Sequence, residues 1–143
     1  MKMRSSDEKA KKSRRSQRGA AIPELAVALP VFFMLFLGVV DFARAMWTYH
    51  TLDHTAREVA RYASVHSQDS GAPVTLADLR RYAENRAVGL NPARLQVDAN
   101  YTPSNTTGAT VQIDLEYEFE PVISLLPDSV KKLTGNSQMR VTY

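Results

Sequence analysis

The chain has no cysteine, which excludes disulfide staples, thiol nucleophiles and cysteine metal sites, leaves the redox compartment open, and obliges the fold to hold by packing alone. It also lacks a phosphate-binding glycine loop, a Ser-His-Asp order, a His-Glu-x-x-His zinc pattern and any internal repeat. Its 143 residues allow one modest globular domain with accessories and leave no room for a second large core. The sequence therefore assigns no enzymatic activity, no metal and no cofactor.

The charge is unevenly spread. The net +3 hides a basic head in which eight lysines and arginines face only Asp7 and Glu8, a balance of +6 before Gly19 that leaves about −3 for the rest. A basic arm beside an acidic body argues against nucleic acid as a partner, because a nucleic-acid binder keeps its positive charge on the folded surface that meets phosphate.

From Leu25 through Val40 the chain reads LAVALPVFFMLFLGVV, sixteen residues without a charge, histidine, amide or hydroxyl. Sixteen residues of helix cover only ~24 Å, but starting at Ala20 gives ~31 Å, close to the ~30 Å hydrocarbon thickness of a bilayer. Residues 20–40 are thus expected to span a membrane, with Asp41 and Arg44 closing the span and Trp47 and Tyr49 suited to the interface beyond. The positive-inside rule places the basic residues 1–19 in the cytoplasm and exports the chain from Asp41 onward. The fit to an ordinary cleaved signal peptide is poor. The apolar stretch is too long, and it runs into Asp41-Phe42-Ala43-Arg44 instead of a small-x-small site and a loop.

Arg18-Gly19-Ala20-Ala21-Ile22-Pro23-Glu24 sets a lone carboxylate five residues after a glycine, at the cytoplasmic edge of the span. A charge within the membrane costs ~2.5 to 3.5 kcal/mol on insertion scales, less near the interface, so it normally has a partner and a function. Cleavage after Gly19 would create an amino group at Ala20, one helical turn from Glu24 and its natural counter-ion on the same or a neighbouring molecule. Pro23 is tolerable in a first helical turn, whereas Pro30 lies inside the apolar helix, removes a backbone hydrogen bond and is expected to kink or open it. Pro30 and Gly38 suit either ordinary membrane-helix usage or packing against neighbouring helices.

Arg18-Gly19-Ala20-Ala21, Glu24-Leu25-Ala26, Leu29-Pro30 and Asp41-Phe42-Ala43-Arg44 together resemble the TadE-like family, minor pseudopilins of the tight-adherence (Flp) type IV pilus system. The resemblance covers residues 18 to about 66. It implies a prepilin peptidase that cuts between Gly19 and Ala20, and a Glu24 that sets register against a neighbouring subunit. Leu25 stands where the major Flp pilins carry tyrosine, and the chain is much longer than theirs; both point to a minor subunit. Pro23 replaces an expected small or aliphatic residue.

Beyond the span, Phe42, Ala45, Tyr49, Leu52, Ala56, Val59 and Ala63 recur in alternating steps of three and four, a heptad-like stripe that predicts helix to about His66. The whole rod would run about 40 residues and ~60 Å, its outer half (41–66) packed on the protein's own sheet or on a helical partner. SQDSGAPV (67–74) is a turn-rich break, Thr75-Leu76-Ala77-Asp78 resembles a capping box, and Gly89 is a plausible helix end. Alternation at Leu95, Val97, Ala99 and Tyr101, then at Val111, Ile113, Leu115, Tyr117 and Phe119, predicts a β-hairpin around a loop from Thr102 to Gly108. A short apolar turn or helix from Val122 to Leu133, and a last strand through Met139, Val141 and Tyr143, complete residues 67–143. The expected fold is α+β and pseudopilin-like, a long N-terminal helix laid on a small antiparallel sheet. Residues 67–143 have too thin a core to fold without the rod's outer half.

His50 and His54, four apart, have helical metal-ligand spacing but no evident third ligand, so they read as exposed polar residues. Arg57, Glu58 and Arg61 read as surface pairs. Asp114, Glu116, Glu118 and Glu120 alternate with apolar residues and read as a solvated sheet face, the alternatives being an acidic docking surface or a weak calcium site whose ligands, strung along one strand, are poorly arranged to converge. The first functional expectation is a bacterial inner-membrane, single-pass substrate of prepilin peptidase. It would join or prime a pilus or related secretion filament, with the lipid bilayer, other pilins or pseudopilins and assembly membrane proteins as partners. The alternative is a permanently anchored, unprocessed extracytoplasmic (periplasmic) binding module.

Overall fold

The computed structural model describes the backbone of residues 5–122 and 131–142, and side chains from residue 22 onward within those ranges. The chain divides into two compact units, Met1–Val40 and Asp41–Tyr143. Helix α1 spans Ser5–Val65 and carries Pro23 and Pro30 within it. A second helix, α2, covers Leu76–Arg86. A 3-10 turn at Pro92–Arg94 leads into strand β1 (Leu95–Thr102), followed by β2 (Thr110–Glu118) and β3 (Lys132–Arg140).

In the second unit the sheet is antiparallel in the order β1-β2-β3. The register sets Val97 opposite Leu115, Ala99 opposite Ile113 and Tyr101 opposite Val111, and across β2 sets Leu115 opposite Gly135 and Val111 opposite Met139. Because side chains alternate along a strand, the remaining positions form a polar face: Gln96, Asp98 and Asn100 beside Gln112, Asp114 and Glu116. The apolar face meets the outer half of α1, where Leu52, Ala56, Val59, Ala60 and Ala63 are fully buried with Val97, Val111, Ile113 and Leu115. Each buried valine, leucine or isoleucine contributes ~1.5 to 3 kcal/mol. The alanines let the helix approach the sheet closely.

The close approach is tightest at Gly135. A Cβ there would lie 2.7 Å from the Leu52 carbonyl carbon and 2.9 Å from the Asp53 nitrogen. Farther along α1, the Ser64 carbonyl accepts from the Thr142 N–H at 3.0 Å, and the Ser64 hydroxyl lies 3.5 Å from the Met139 sulfur. The end of β3 is thereby fixed to the end of the helix.

α2 starts where the capping pattern predicts. The Thr75 hydroxyl accepts from the Asp78 N–H at 3.3 Å, and the Asp78 carboxylate accepts from the Thr75 N–H at 3.0 Å. These bonds satisfy donors that a helix start leaves unpaired. Leu79 and Ala83, one turn apart, bury against the core, and Tyr82 stacks on Tyr62 of α1 at 4.4 Å between ring centroids.

Two expectations change. The helix cap is Ala87, whose N–H reaches the Ala83 carbonyl at 2.8 Å; Gly89 lies two residues beyond, at φ +81°, where Trp47 occupies the space a Cβ would take. The last strand runs over Lys132–Arg140, so Leu133 belongs to β3 and Val141 follows the strand instead of alternating within it. Its inward face is Leu133, Gly135, Ser137 and Met139, and the glycine and serine conceal the alternation. The expected apolar turn or helix lies largely at 123–130, outside the described residues, as does Tyr143 at the end of the expected strand.

Candidate functional site

Gly19, Ala20 and Glu24 all lie in α1, and Glu24 is exposed. Ala20 and Glu24 are four residues apart, which on an α-helix means one turn apart on the same side. Pro23 and Pro30 have no N–H to give, so the carbonyls of Gly19 and Ala26, four residues earlier, have no helical donor. The helix continues through both prolines.

The apolar span presents its side chains outward on every side. Five consecutive residues, Phe32 to Phe36, are each more than half exposed, and five consecutive positions go completely around a helix. Leu25 and Val40, at its two ends, are exposed as well, and Gly38 meets nothing within 4 Å. Phe32 stacks on Phe36 at 6.4 Å between centroids. The described part of α1, Ile22–Val65, is long and apolar enough to cross a membrane.

Asp41, the first residue of the second unit, is buried. Its Oδ1 accepts from the Val122 N–H at 2.9 Å and from the Arg44 guanidinium at 3.1 Å. Arg44 in turn lies over the Phe119 ring at 5.4 Å. An open groove of about 450 Å³ runs beside this cluster, lined among others by Arg44, Trp47, Gly89, Arg94, Phe119 and Val122. Its charges are paired internally: Arg94 bonds Glu120 at 2.6 Å, an ion pair that raises the arginine's already high pKa.

The expected packing stripe is placed unevenly. Leu52, Ala56, Val59 and Ala63 are fully buried and Ala45 is half-buried, but Phe42 and Tyr49 are exposed, at 67% and 46%. Helical residues advance by ~100° each, so burial of Asp41 turns Phe42 out of the interface. The buried positions that hydrophobicity alone misses are polar: Asp41, Thr48, Thr55, Ser64 and Ser67. The steps of seven from Asp41 to Thr48 to Thr55 keep one side of α1 and are a signal in the sequence, obscured wherever only apolar residues are sought.

His50 and His54 are both exposed, and the Asp53 between them bonds Arg57 at 2.6 Å. Glu58 reaches across to Arg86 of α2 at 3.2 Å. Among the described residues no group of three or more histidines and carboxylates converges as for a metal ion. On the polar sheet face, Asp114 accepts two hydrogen bonds from the Gln112 amide, at 2.9 and 3.2 Å, and Glu116 pairs with Lys132 at 2.5 Å, which raises the lysine's pKa. Burial raises the pKa of the Tyr101 phenol, whose oxygen has no partner among the described residues.

Compared with known families, residues 19–61 match the family described as TadE-like protein. That segment is similar to the TadE-like family. It starts at Gly19, contains Glu24 and the apolar span, and runs to Arg61 near the end of α1. Neither a curated protein nor a solved structure matches the chain.

Proposed function

We propose that the chain is a minor pseudopilin, cut by a prepilin peptidase after Gly19, that assists assembly or priming of a tight-adherence pilus or a related secretion filament. The observation that carries this reading is the TadE-like match, which begins at Gly19 itself and encloses a helix whose apolar side chains are exposed all round. Such a helix is unsuited to water and suited first to lipid, then to the apolar flanks of neighbouring subunits.

In this reading residues 1–19 are a cytoplasmic leader, 20–40 are held in the bacterial inner membrane, and the unit from Asp41 onward is extracytoplasmic. Cleavage places a positive amine at Ala20, one turn from Glu24. The pair neutralises a carboxylate that would otherwise be costly in the membrane, and between subunits it fixes the axial register of packed helices. Partners are the peptidase, other pilins or pseudopilins and the membrane proteins of the assembly machine. The protein acts through its helix and its surface, not through catalysis.

N-terminal sequencing and intact mass of the protein from its native membrane test this reading. A mature start at Ala20, abolished by Gly19→Val, is expected. A start at Met1 in the wild type overturns the processing proposal and favours the permanently anchored binding module.

A further inference from the structure

The residue that prepares the Gly19–Ala20 bond for cleavage is, we infer, Pro23, acting on the bond's own carbonyl. The inference rests on the processing reading above. It comes from a register coincidence within α1: the helix runs continuously through Gly19, Ala20 and Pro23, and Pro23 is the residue whose N–H would bond the Gly19 carbonyl. Proline has no N–H, and its ring crowds the carbonyl four residues earlier. The one carbonyl that lacks a helical donor in this turn is therefore the one a peptidase must attack.

The chemistry shows why this matters. Hydrolysis adds water across the Gly19–Ala20 amide: the oxygen bonds to the Gly19 carbonyl carbon, the C–N bond breaks, and protons leave Gly19 as a carboxylate and Ala20 as an ammonium. The Gly19 oxygen takes up the developing negative charge and needs hydrogen-bond donors from the enzyme. A carbonyl locked in a helical hydrogen bond must first be released. Here it already is, and the adjoining glycine is the least costly residue to leave helical geometry.

Before and after cleavage the same proline has opposite consequences. In the precursor it removes one hydrogen bond from a helix that extends from Ser5 past the Gly19–Ala20 bond, at the place where the chain must open for cleavage. In the product, which starts at Ala20, Pro23 falls in the first turn, where N–H groups have no helical acceptor, so its missing donor costs nothing. Pro23 thus weakens the helix only while the leader is attached. It is a positioning residue of the substrate, distinct from Gly19 at the bond and Glu24 beyond it.

The test is the initial rate at which prepilin peptidase in native membranes trims the full-length chain. Three variants are compared with wild type: Pro23→Ala, Pro30→Ala, and the chain carrying lactic acid at position 23, introduced by nonsense suppression. Pro23→Ala restores the donor and is expected to slow trimming at least ~10-fold. The lactic acid ester again lacks an N–H, without proline's ring, and should recover most of the rate. Pro30→Ala relieves only the Ala26 carbonyl and should leave the rate unchanged. Equal trimming of Pro23→Ala and wild type overturns the inference alone, as does equal slowing by Pro30→Ala, which would indicate a general effect on the span. An uncut wild type overturns the processing reading and this inference with it.

Discussion

Gly135 of β3 faces the backbone of α1 at Leu52, and a Cβ on it would come within 2.7 Å of the Leu52 carbonyl carbon. Backbone cannot swing aside as a long side chain can, so the helix and the strand would have to part. Gly135→Ala is expected to cost ~1 to 3 kcal/mol by overpacking. Chemical denaturation of the detergent-solubilised chain, followed by circular dichroism, measures it. Gly71→Ala, where nothing lies within 4 Å, should change stability by no more than ~0.5 kcal/mol. Equal stability for the two variants would remove Gly135 as the point of closest approach.

Asp41 connects the start of the second unit to the segment after β2, through the Val122 N–H at 2.9 Å. Its side chain is buried while its partner Arg44 is half exposed. Asp41→Ala removes the acceptor and leaves a donor and a guanidinium to find others, which is expected to cost ~1 to 3 kcal/mol. Asp41→Asn keeps an oxygen for Val122 and should cost less. Hydrogen exchange localises the effect: the Val122 amide should lose protection in Asp41→Ala, while amides in the middle of β2 keep theirs. Uniform loss across the sheet would mean that Asp41 acts on the whole fold.

These two contacts separate what is legible in the sequence from what is not. The long helix, the hairpin from Leu95 to Phe119 and the Thr75 capping box are readable because apolar periodicity and cap chemistry are local signals. β3 is displaced toward the C-terminus in a sequence reading because its inward residues at the helix crossing, Gly135 and Ser137, are small. A strand pressed against a helix backbone has no space for the larger side chains that announce a strand. The expected stripe errs at Phe42 and Tyr49 for the converse reason. The buried face of α1 near its entry to the second unit is filled by Asp41 and Thr48, and Asp41 is satisfied there by a partner far away in sequence. At the candidate site, spacing alone places Glu24 one helical turn after Ala20, whereas the roles expected of Gly19, Ala20 and Glu24 come from the family resemblance.

The start of α2 should be acid-sensitive. The Asp78 carboxyl is held below the usual carboxylate range, chiefly by the Thr75 hydroxyl and then by the Thr75 backbone N–H. A group with a lowered folded pKa stabilises the folded form at pH above its unfolded value and loses that contribution as pH falls through its folded value. Carboxyl NMR titration should place Asp78 below the usual carboxylate range, with α2 amide shifts moving in the same acidic range. Thr75→Ala should move the midpoint upward, and Asp78→Asn should abolish the transition in α2. A midpoint in Thr75→Ala identical to wild type would remove the hydroxyl as the main cause.

Glu24 offers the sharpest test of the role proposed for a trimmed helix. It is exposed on a helix whose neighbours are apolar, so in lipid or in a packed bundle its charge requires a partner, and the amine at Ala20 exists only after the cut. On the proposed reading, Glu24→Gln should be trimmed normally, because the Gly19–Ala20 bond and Pro23 are untouched, yet its incorporation with partner subunits should fall at least ~10-fold. Crosslinking in native membranes reads incorporation, and the amine's part is isolated by a double-mutant cycle with Gly19→Val, which retains the leader. If Glu24 acts through the new amine, Glu24→Gln should have no further effect in a chain that cannot be cut. A full effect in the uncut background would assign Glu24 a partner other than Ala20, such as a cation of the assembly machine.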